Sequence, residues 1–352
     1  MPRWKPPLPD ALDIEDPQAL LAYLRQTGRI SPDERPRIAV LQGGVSNRTV
    51  LVERAPAEAW VLKQALAKLR VPVDWFSSPE RIQREALGLK WLAQLAPPGS
   101  ITPLLFEDHA RHLLAMQAVP QPHENWKTVL LGGRIEADHF RQFAALLAAI
   151  HRQAYRRRAE LAEAFADRSF FESLRLEPYY AYSARQAPAA ADFLNALIRE
   201  TLACRITLVH GDYSPKNILI HEGRLVLLDH EVIHFGDPAF DLGFSLTHFL
   251  SKAHHLPALR CDFAAAALEY WRVYVAALGA PEWAADLEPR VVRHTLACLL
   301  ARVVGRSPLE YLDQRERLRQ RDAVLSILPA APTRVADLTC MFEEKLCLSS
   351  IV

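Results

Sequence analysis

The sequence predicts a bilobal α+β protein, with a small β-rich N-lobe and a larger helical C-lobe. Three observations predict it. Short apolar runs with strand-like composition crowd residues 38–64 and return at 101–116. One long amphipathic pattern, with apolar residues at helical spacing, separates the two groups. Beyond residue 122 the apolar spacing is almost wholly helical.

Taken in order, residues 1–10 are proline-rich and read as an irregular arm. Asp16 and Pro17 suit the N-cap and first turn of a helix running to Thr27, and Gly28 stops it. Residues 31–37 form a polar linker. Strands are expected at 38–42, 49–53 and 59–64. Pro79 opens the long helix, with Ile82, Ala86, Leu89, Leu92 and Leu95 on one face, and Pro97-Pro98-Gly99 ends it. Strands follow at 101–106 and 112–116, and 117–122 is the natural hinge. Helices are then expected at 137–155, 189–202, 240–249, 262–278, 286–304 and 312–325.

Composition narrows the class. The 352 residues suffice for two lobes and a full core. A net charge of +1 gives no whole-protein field favouring nucleic acid or membrane. Cys204, Cys261, Cys298, Cys340 and Cys347 are scattered, with no Cys-x-x-Cys pair, so neither a disulfide framework nor a zinc site is expected. A reducing cytoplasm is the matching compartment. The first residues lack the apolar core of a signal peptide, and no run is apolar enough to cross a bilayer.

Residues 208–219 carry the chemistry. They read Leu-Val-His-Gly-Asp-Tyr-Ser-Pro-Lys-Asn-Ile-Leu. An aspartate followed five residues later by an asparagine, in a turn between apolar runs, is the layout of a phosphoryl-transfer loop. Asp212 would orient the attacking hydroxyl and accept its proton, and Asn217 would hold magnesium. The apolar run 225–228 ends on Asp229, a hard-oxygen ligand, with Glu231 two residues on. His230 and His234 stand nearby, but carboxylate and amide ligands favour magnesium over zinc. Gly236-Asp237-Pro238-Ala239-Phe240-Asp241-Leu242 completes the pattern.

These residues resemble the aminoglycoside phosphotransferase and choline kinase family, of protein-kinase-like fold. The resemblance rests on His210-Gly211-Asp212, Asn217, Asp229 and the 236–242 segment, and spans roughly residues 35–310. Val61-Leu62-Lys63-Gln64-Ala65-Leu66, Trp75, Asp229-His230-Glu231 and Ala301-Arg302-Val303-Val304-Gly305 look most like 5-methylthioribose kinases. Ala301 stands where those kinases have the first of two arginines, so the acceptor stays open. The resemblance implies an N-terminal arm and helix at 1–37, a nucleotide-binding lobe at 38–119, and a catalytic and acceptor-binding lobe at 120–352. It also implies that Asp241 accepts backbone N–H bonds from the catalytic loop and that His210 supports that loop.

The resemblance implies ATP and Mg2+ as cofactors. Gly43, Gly44, Ser46 and Asn47 lie between two strands, where glycines let backbone N–H groups approach phosphates. Lys63 in an apolar strand needs a partner, which phosphates and Glu85 on the long helix would supply. Met116 and Ala118 would meet the nucleotide base through backbone groups. For the acceptor, Trp75, Trp126, His234, Arg302 and Arg306 are candidates, Arg302 foremost. The expected activity moves the γ-phosphate to a hydroxyl of a small polar metabolite, a thiosugar such as 5-methylthioribose among them. The alternatives are an aminoglycoside-type antibiotic kinase and a nucleotide-binding pseudokinase scaffold. A homodimer is left open by the sequence.

Overall fold

The computed structural model describes residues 12–348 except 43, 56, 57, 72 and 73. The proline-rich arm at 1–10 and Gly43 therefore lie outside the described residues. The chain divides into two compact units: Met1–Lys90 with Thr102–Pro120, and Trp91–Ile101 with Gln121–Val352.

The first unit is built on five antiparallel strands: β1 (Arg37–Val40), β2 (Asn47–Ala55), β3 (Glu58–Ala65), β4 (Leu104–Asp108) and β5 (Leu113–Gln117). Their order is β1-β2-β3-β5-β4. Alternation sets the register, so Val50, Val52 and Leu62 are buried together. Helix α1 (Pro17–Gln26) starts where the Asp16 side chain accepts from Gln18 N and Ala19 N. Its Leu20, Tyr23 and Leu24 join Val50, Val52, Leu62 and Leu113 in one core. The segment expected as a separate arm and helix is thus, from residue 12, part of this unit's core. Burial of that apolar face outweighs the polar linker that follows it.

Helix α2 (Arg81–Leu95) carries Ile82, Ala86, Leu89, Leu92 and Leu95 inward. Its last turns group with the second unit. There Arg157 stacks over Trp91 at 4.4 Å, and Leu227 N donates to Ser100 O.

The second unit opens with β6 (His123–Asn125), α3 (Trp126–Leu131), α4 (Ala137–Arg156) and α5 (Arg158–Ala164). A short turn, α6 (Ser169–Phe171), leads into a wide, π-helical stretch, Glu172–Ala181, then α7 (Tyr182–Gln186) and α8 (Ala191–Ala203). The strands β7 (Thr207–Val209), β8 (Ile218–His221), β9 (Arg224–Leu227) and β10 (His234–Gly236) frame the motif residues. Then follow α9 (Ala239–His255), α10 (Arg260–Leu278), α11 (Leu287–Val304), α12 (Gln314–Ile327) and α13 (Val335–Leu348). An aromatic cluster fills the centre: Trp126 meets Phe140, Phe143 and Phe249 edge-on, with ring centroids 4.9–5.9 Å apart. Trp126 is fully buried there, so it serves the core and is withdrawn as an acceptor contact. Among the described residues no helix is long and apolar enough to cross a membrane.

Candidate active site

In the second unit, the site is built on the turn after β7. Gly211 has φ +77°, and a Cβ there would lie 3.0 Å from Val232 O, so the turn needs glycine twice over. Asp241, in the first turn of α9, fixes the turn from below. Its two oxygens accept from His210 N at 2.7 Å and Gly211 N at 2.8 Å. His151 Nε2 approaches the same carboxylate at 3.3 Å. Burial pushes the Asp241 carboxyl up, but His151, His210 and the loop amides win and hold it below the ordinary range.

His210 is a buried core histidine. Its Nδ1 accepts from Asp212 N at 3.2 Å, which leaves Nε2 to donate to His230 Nδ1 at 3.1 Å. Burial lowers its pKa. Tyr213 stacks on Phe143 at 4.1 Å and donates its hydroxyl to Phe143 O, tying the loop to α4. Asn217 gives Nδ2 to Asp212 O at 3.0 Å and to Asp212 Oδ2 at 2.7 Å. Both of those bonds use the amide nitrogen, so Oδ1 is left to other partners. Leu228 N donates to Asn217 O, which draws the end of β9 to the loop. One residue later Asp229 sits at φ +67°, a left-handed conformation that costs an aspartate ~1–2 kcal/mol.

Sequence reading missed one central residue. Arg175, in the π-helical stretch, is buried against the loop, with Nη2 3.0 Å from Asp212 Oδ2 and Nε donating to Gly211 O at 2.9 Å. Burial would lower its pKa. Asp212, then Tyr179, Glu231 and Asp229, raise it above the ordinary value instead. The guanidinium pairs directly with Asp212, and Glu231 and Asp229 are near enough to act on it electrostatically. No motif announces it, because residues 172–181 have no regular apolar period and contain Pro178. The oxygens of Asn217, Asp229 and Glu231 are hard donors, which fit a magnesium-class cation and not a soft metal.

The other acceptor candidates separate. His234 is buried in β10, stacked on Phe171 at 3.9 Å with Nδ1 at 3.0 Å from Val232 O, so its place is structural. Arg306 is half-buried, over the Tyr182 ring at 5.0 Å and 3.5 Å from Glu177. Arg302 is buried in α11 and donates from Nη1 to Tyr179 Oη at 3.0 Å and Ser307 Oγ at 2.9 Å. Gly305 closes that helix. A Cβ there would collide with Ala301 O and lie 3.2 Å from Pro178 O. Lys216 is exposed.

In the first unit, Lys63 Nζ lies 2.6 Å from Glu85 Oε1, and Glu85 is fully buried. Ser46 and Asn47 are buried, and Asn47 Nδ2 donates to Ser46 Oγ, so these side chains serve the loop's own structure as well. Arg81, which sequence reading passed over, is fully buried beneath the loop. It donates to the carbonyls of Ser46, Leu66 and Ser78. Met116 is buried in β5. Ala118 N donates to Ala59 O at 2.8 Å, so that donor is committed within the sheet and not to a nucleotide base. Trp75 is half-buried, its carbonyl accepting from Leu69 N.

A model of the phosphotransferase enzyme family, APH, matches residues 37–276. The chain belongs to that family. It is similar to a methylthioribose kinase of Pectobacterium atrosepticum, 24% identical over 277 residues, covering 70% of this chain and 68% of the relative. Among solved structures it resembles an amicoumacin kinase in complex with AMP-PNP, Ca2+ and Ami, with a TM-score of 0.61 and 13% identity over 93% of this chain and 97% of that one. It also resembles a Plasmodium vivax ethanolamine kinase, with a TM-score of 0.53 and 11% identity over 97% of this chain and 91% of that one. These likenesses show the protein-kinase-like fold. As a member of this family the protein is a small-molecule kinase, an enzyme whose family uses a nucleotide with a divalent metal.

Proposed function

We propose that this kinase transfers the γ-phosphate of ATP, with Mg2+, to a hydroxyl of a small polar metabolite. The observation that carries the reading is the buried pairing of Asp212 with Arg175 and with the Asn217 amide, with Asp229 and Glu231 near enough to act on the same guanidinium. Asp212 orients the acceptor hydroxyl and takes its proton as the bond to phosphorus forms. Arg175 and the Asn217 amide hold that carboxylate in one orientation, which is the main demand of a loose phosphoryl-transfer transition state. Asn217, Asp229 and Glu231 hold the magnesium, which neutralises charge on the phosphates. In the first unit, Lys63, set by Glu85, and the backbone of the 44–47 turn bind nucleotide phosphates.

The complete set of Lys63, Asp212, Asn217 and Asp229 argues against a pseudokinase scaffold. 5-Methylthioribose, the acceptor in the name of the similar kinases, is the first compound to try. The test is a coupled ADP-release assay with Mg·ATP over sugars, thiosugars, amino alcohols, hydroxy acids and aminoglycosides. Acceptor-dependent turnover that Asp212→Ala abolishes supports the reading. Turnover that survives Asp212→Ala, or nucleotide binding with no turnover on any acceptor, overturns it.

A further inference from the structure

Behind Arg302 lies a set of buried cationic and donor groups that the phosphoryl-transfer chemistry does not use. Lys252, in α9, is fully buried, yet its Nζ makes one hydrogen bond among the described residues, to the His248 carbonyl of its own helix at 3.2 Å. The His248 ring, one turn earlier and 5% exposed, has no hydrogen-bond partner among them. Arg302 uses only Nη1, and its Nε is buried without a partner. Tyr311 Oη is likewise buried and unpartnered, with its ring 5.3 Å from Lys252 Nζ. Lys127 and the exposed Lys216 add their charge to the same region. The one carboxylate acting on Lys252 is Glu310, which is already paired with Lys127.

A buried ammonium without a counter-ion is costly, and a protein retains one when something else supplies the negative charge. The charges acting on Lys252 and His248 are positive apart from Glu310, which disfavours a polycationic acceptor and suits an anion. Burial, with Lys127 and Arg302, pulls Lys252 down to about 7, so a bound anion would restore its charge at neutral pH. The cluster also connects to the reaction centre. Arg302 bonds Tyr179 Oη, the Arg175 guanidinium lies 5.7 Å from the Tyr179 ring centroid, and Arg175 holds Asp212. Lys216 stands four residues beyond Asp212 in the same loop.

We infer that Lys252, His248 and Arg302 form the acceptor's anchoring site, and that the acceptor is an alcohol bearing an anionic group, a carboxylate or a phosphate. The inference rests on the kinase reading above and narrows its substrate class. Under it, 5-methylthioribose, which is neutral, is a control.

The test compares matched acceptors on the full-length enzyme with Mg·ATP: 5-methylthioribose and ribose, the hydroxy acids glycerate and gluconate, and ribose 5-phosphate. Variants are Lys252→Met, which removes the buried charge and keeps the bulk, and Arg302→Gln. Alongside, thermal unfolding is followed with added succinate or inorganic phosphate. The expected result is turnover of one anionic class, with acceptor KM raised about 10- to 100-fold in each variant and kcat changed far less. The matching anion raises the wild-type Tm and leaves that of Lys252→Met unmoved. Preference for a neutral or cationic acceptor, or an acceptor KM untouched by Lys252→Met, overturns the inference and leaves the kinase reading standing. Anion stabilisation lost in Lys252→Met, without turnover of any acceptor, upholds the anion site and counts against the kinase reading.

Discussion

Arg175 and Asp212 form a buried ion pair, with Nη2 3.0 Å from Oδ2, and Arg175 Nε reaches the Gly211 carbonyl one residue away. The guanidinium thus fixes both the side chain of the proposed base and the backbone that carries it. Its planar fork spans these two acceptors, and a lysine ammonium cannot reproduce that geometry.

Arg175→Met is therefore expected to lower kcat by ~10²-fold, since a misplaced reacting group costs about that much. Nucleotide KM should change little. Removing a positive charge beside Asp212, Asp229 and Glu231 should also tighten metal binding, so half-maximal activity comes at lower Mg2+. Arg175→Lys should recover the metal dependence and only part of kcat. A Mg2+ titration of both variants checks this. An unchanged half-saturation in Arg175→Met would refute the electrostatic role.

Acid stability tests the buried histidines and carboxylates. His210, His248 and His254 are all held below their ordinary 6.5 by burial. The unfolded chain binds those protons first, so stability falls as pH drops below the ordinary histidine value. Asp241 and Asp237 are held below 3.8, despite burial, by His151 and His294. Their contribution is present above that value and lost as pH falls through their lower folded values. Asp241→Asn should cost ~3–5 kcal/mol at neutral pH, because a buried partner is lost. The gap to wild type should shrink between about pH 5 and pH 2. Thermal unfolding across that range is the measurement, and a constant gap would contradict it.

The motif was legible because its residues are close in sequence. His210, Asp212, Asn217, Asp229 and Asp241 sit within one short span, and the side chains of His210, Asn217 and Asp241 each make a local bond that holds the loop. The long elements were legible too. Helix α4 spans Ala137–Arg156 against an expected 137–155, and α11 spans Leu287–Val304 against 286–304. What could not be read was made by packing. Arg175 reaches Gly211 across 36 residues, and Arg302 acts on Lys252 only because α9 and α11 pack together. Helix α3 is six residues long and buried by its aromatics, too short to show a period. Helix α13 went unread, although Leu338, Phe342 and Leu346 do follow helical spacing. The two-lobe boundaries shifted because α1 packs on the sheet and the end of α2 groups with the second unit.

Arg81 links loop geometry to stability in the first unit. With its head group buried against the carbonyls of Ser46, Leu66 and Ser78, it holds the 44–47 turn by donors that solvent cannot replace. Arg81→Met takes the guanidinium from all three carbonyls; Ser46 O and Ser78 O each keep a backbone donor, while Leu66 O is left without that partner, at ~1–3 kcal/mol if it stays buried. The turn should then move, and nucleotide affinity should fall together with Tm. Lys63→Met should instead weaken nucleotide use without comparable destabilisation. Calorimetric titration of a non-hydrolysable ATP analogue into both variants separates the two effects. Equal loss of Tm in both would mean that Lys63 is chiefly structural.

Gly305 sets how closely the end of α11 approaches the π-helical stretch. Its N donates to Ala301 O, Arg306 N donates to Pro178 O, and a Cβ would fall against both carbonyl oxygens. Gly305→Ala must push these elements apart, at the ~1–3 kcal/mol typical of overpacking. Arg302 sits three residues earlier and bonds Tyr179 in the facing stretch, so the displacement stretches that bond directly. Arg175 lies one turn further along the same stretch and is braced separately by Gly211 and Asp212. The expected outcome is a rise in acceptor KM with a smaller change in kcat and none in nucleotide KM. Steady-state kinetics with each substrate varied in turn checks it. A fall in kcat alone would mean that the strain reaches Asp212 through Arg175 and leaves the acceptor contacts in place.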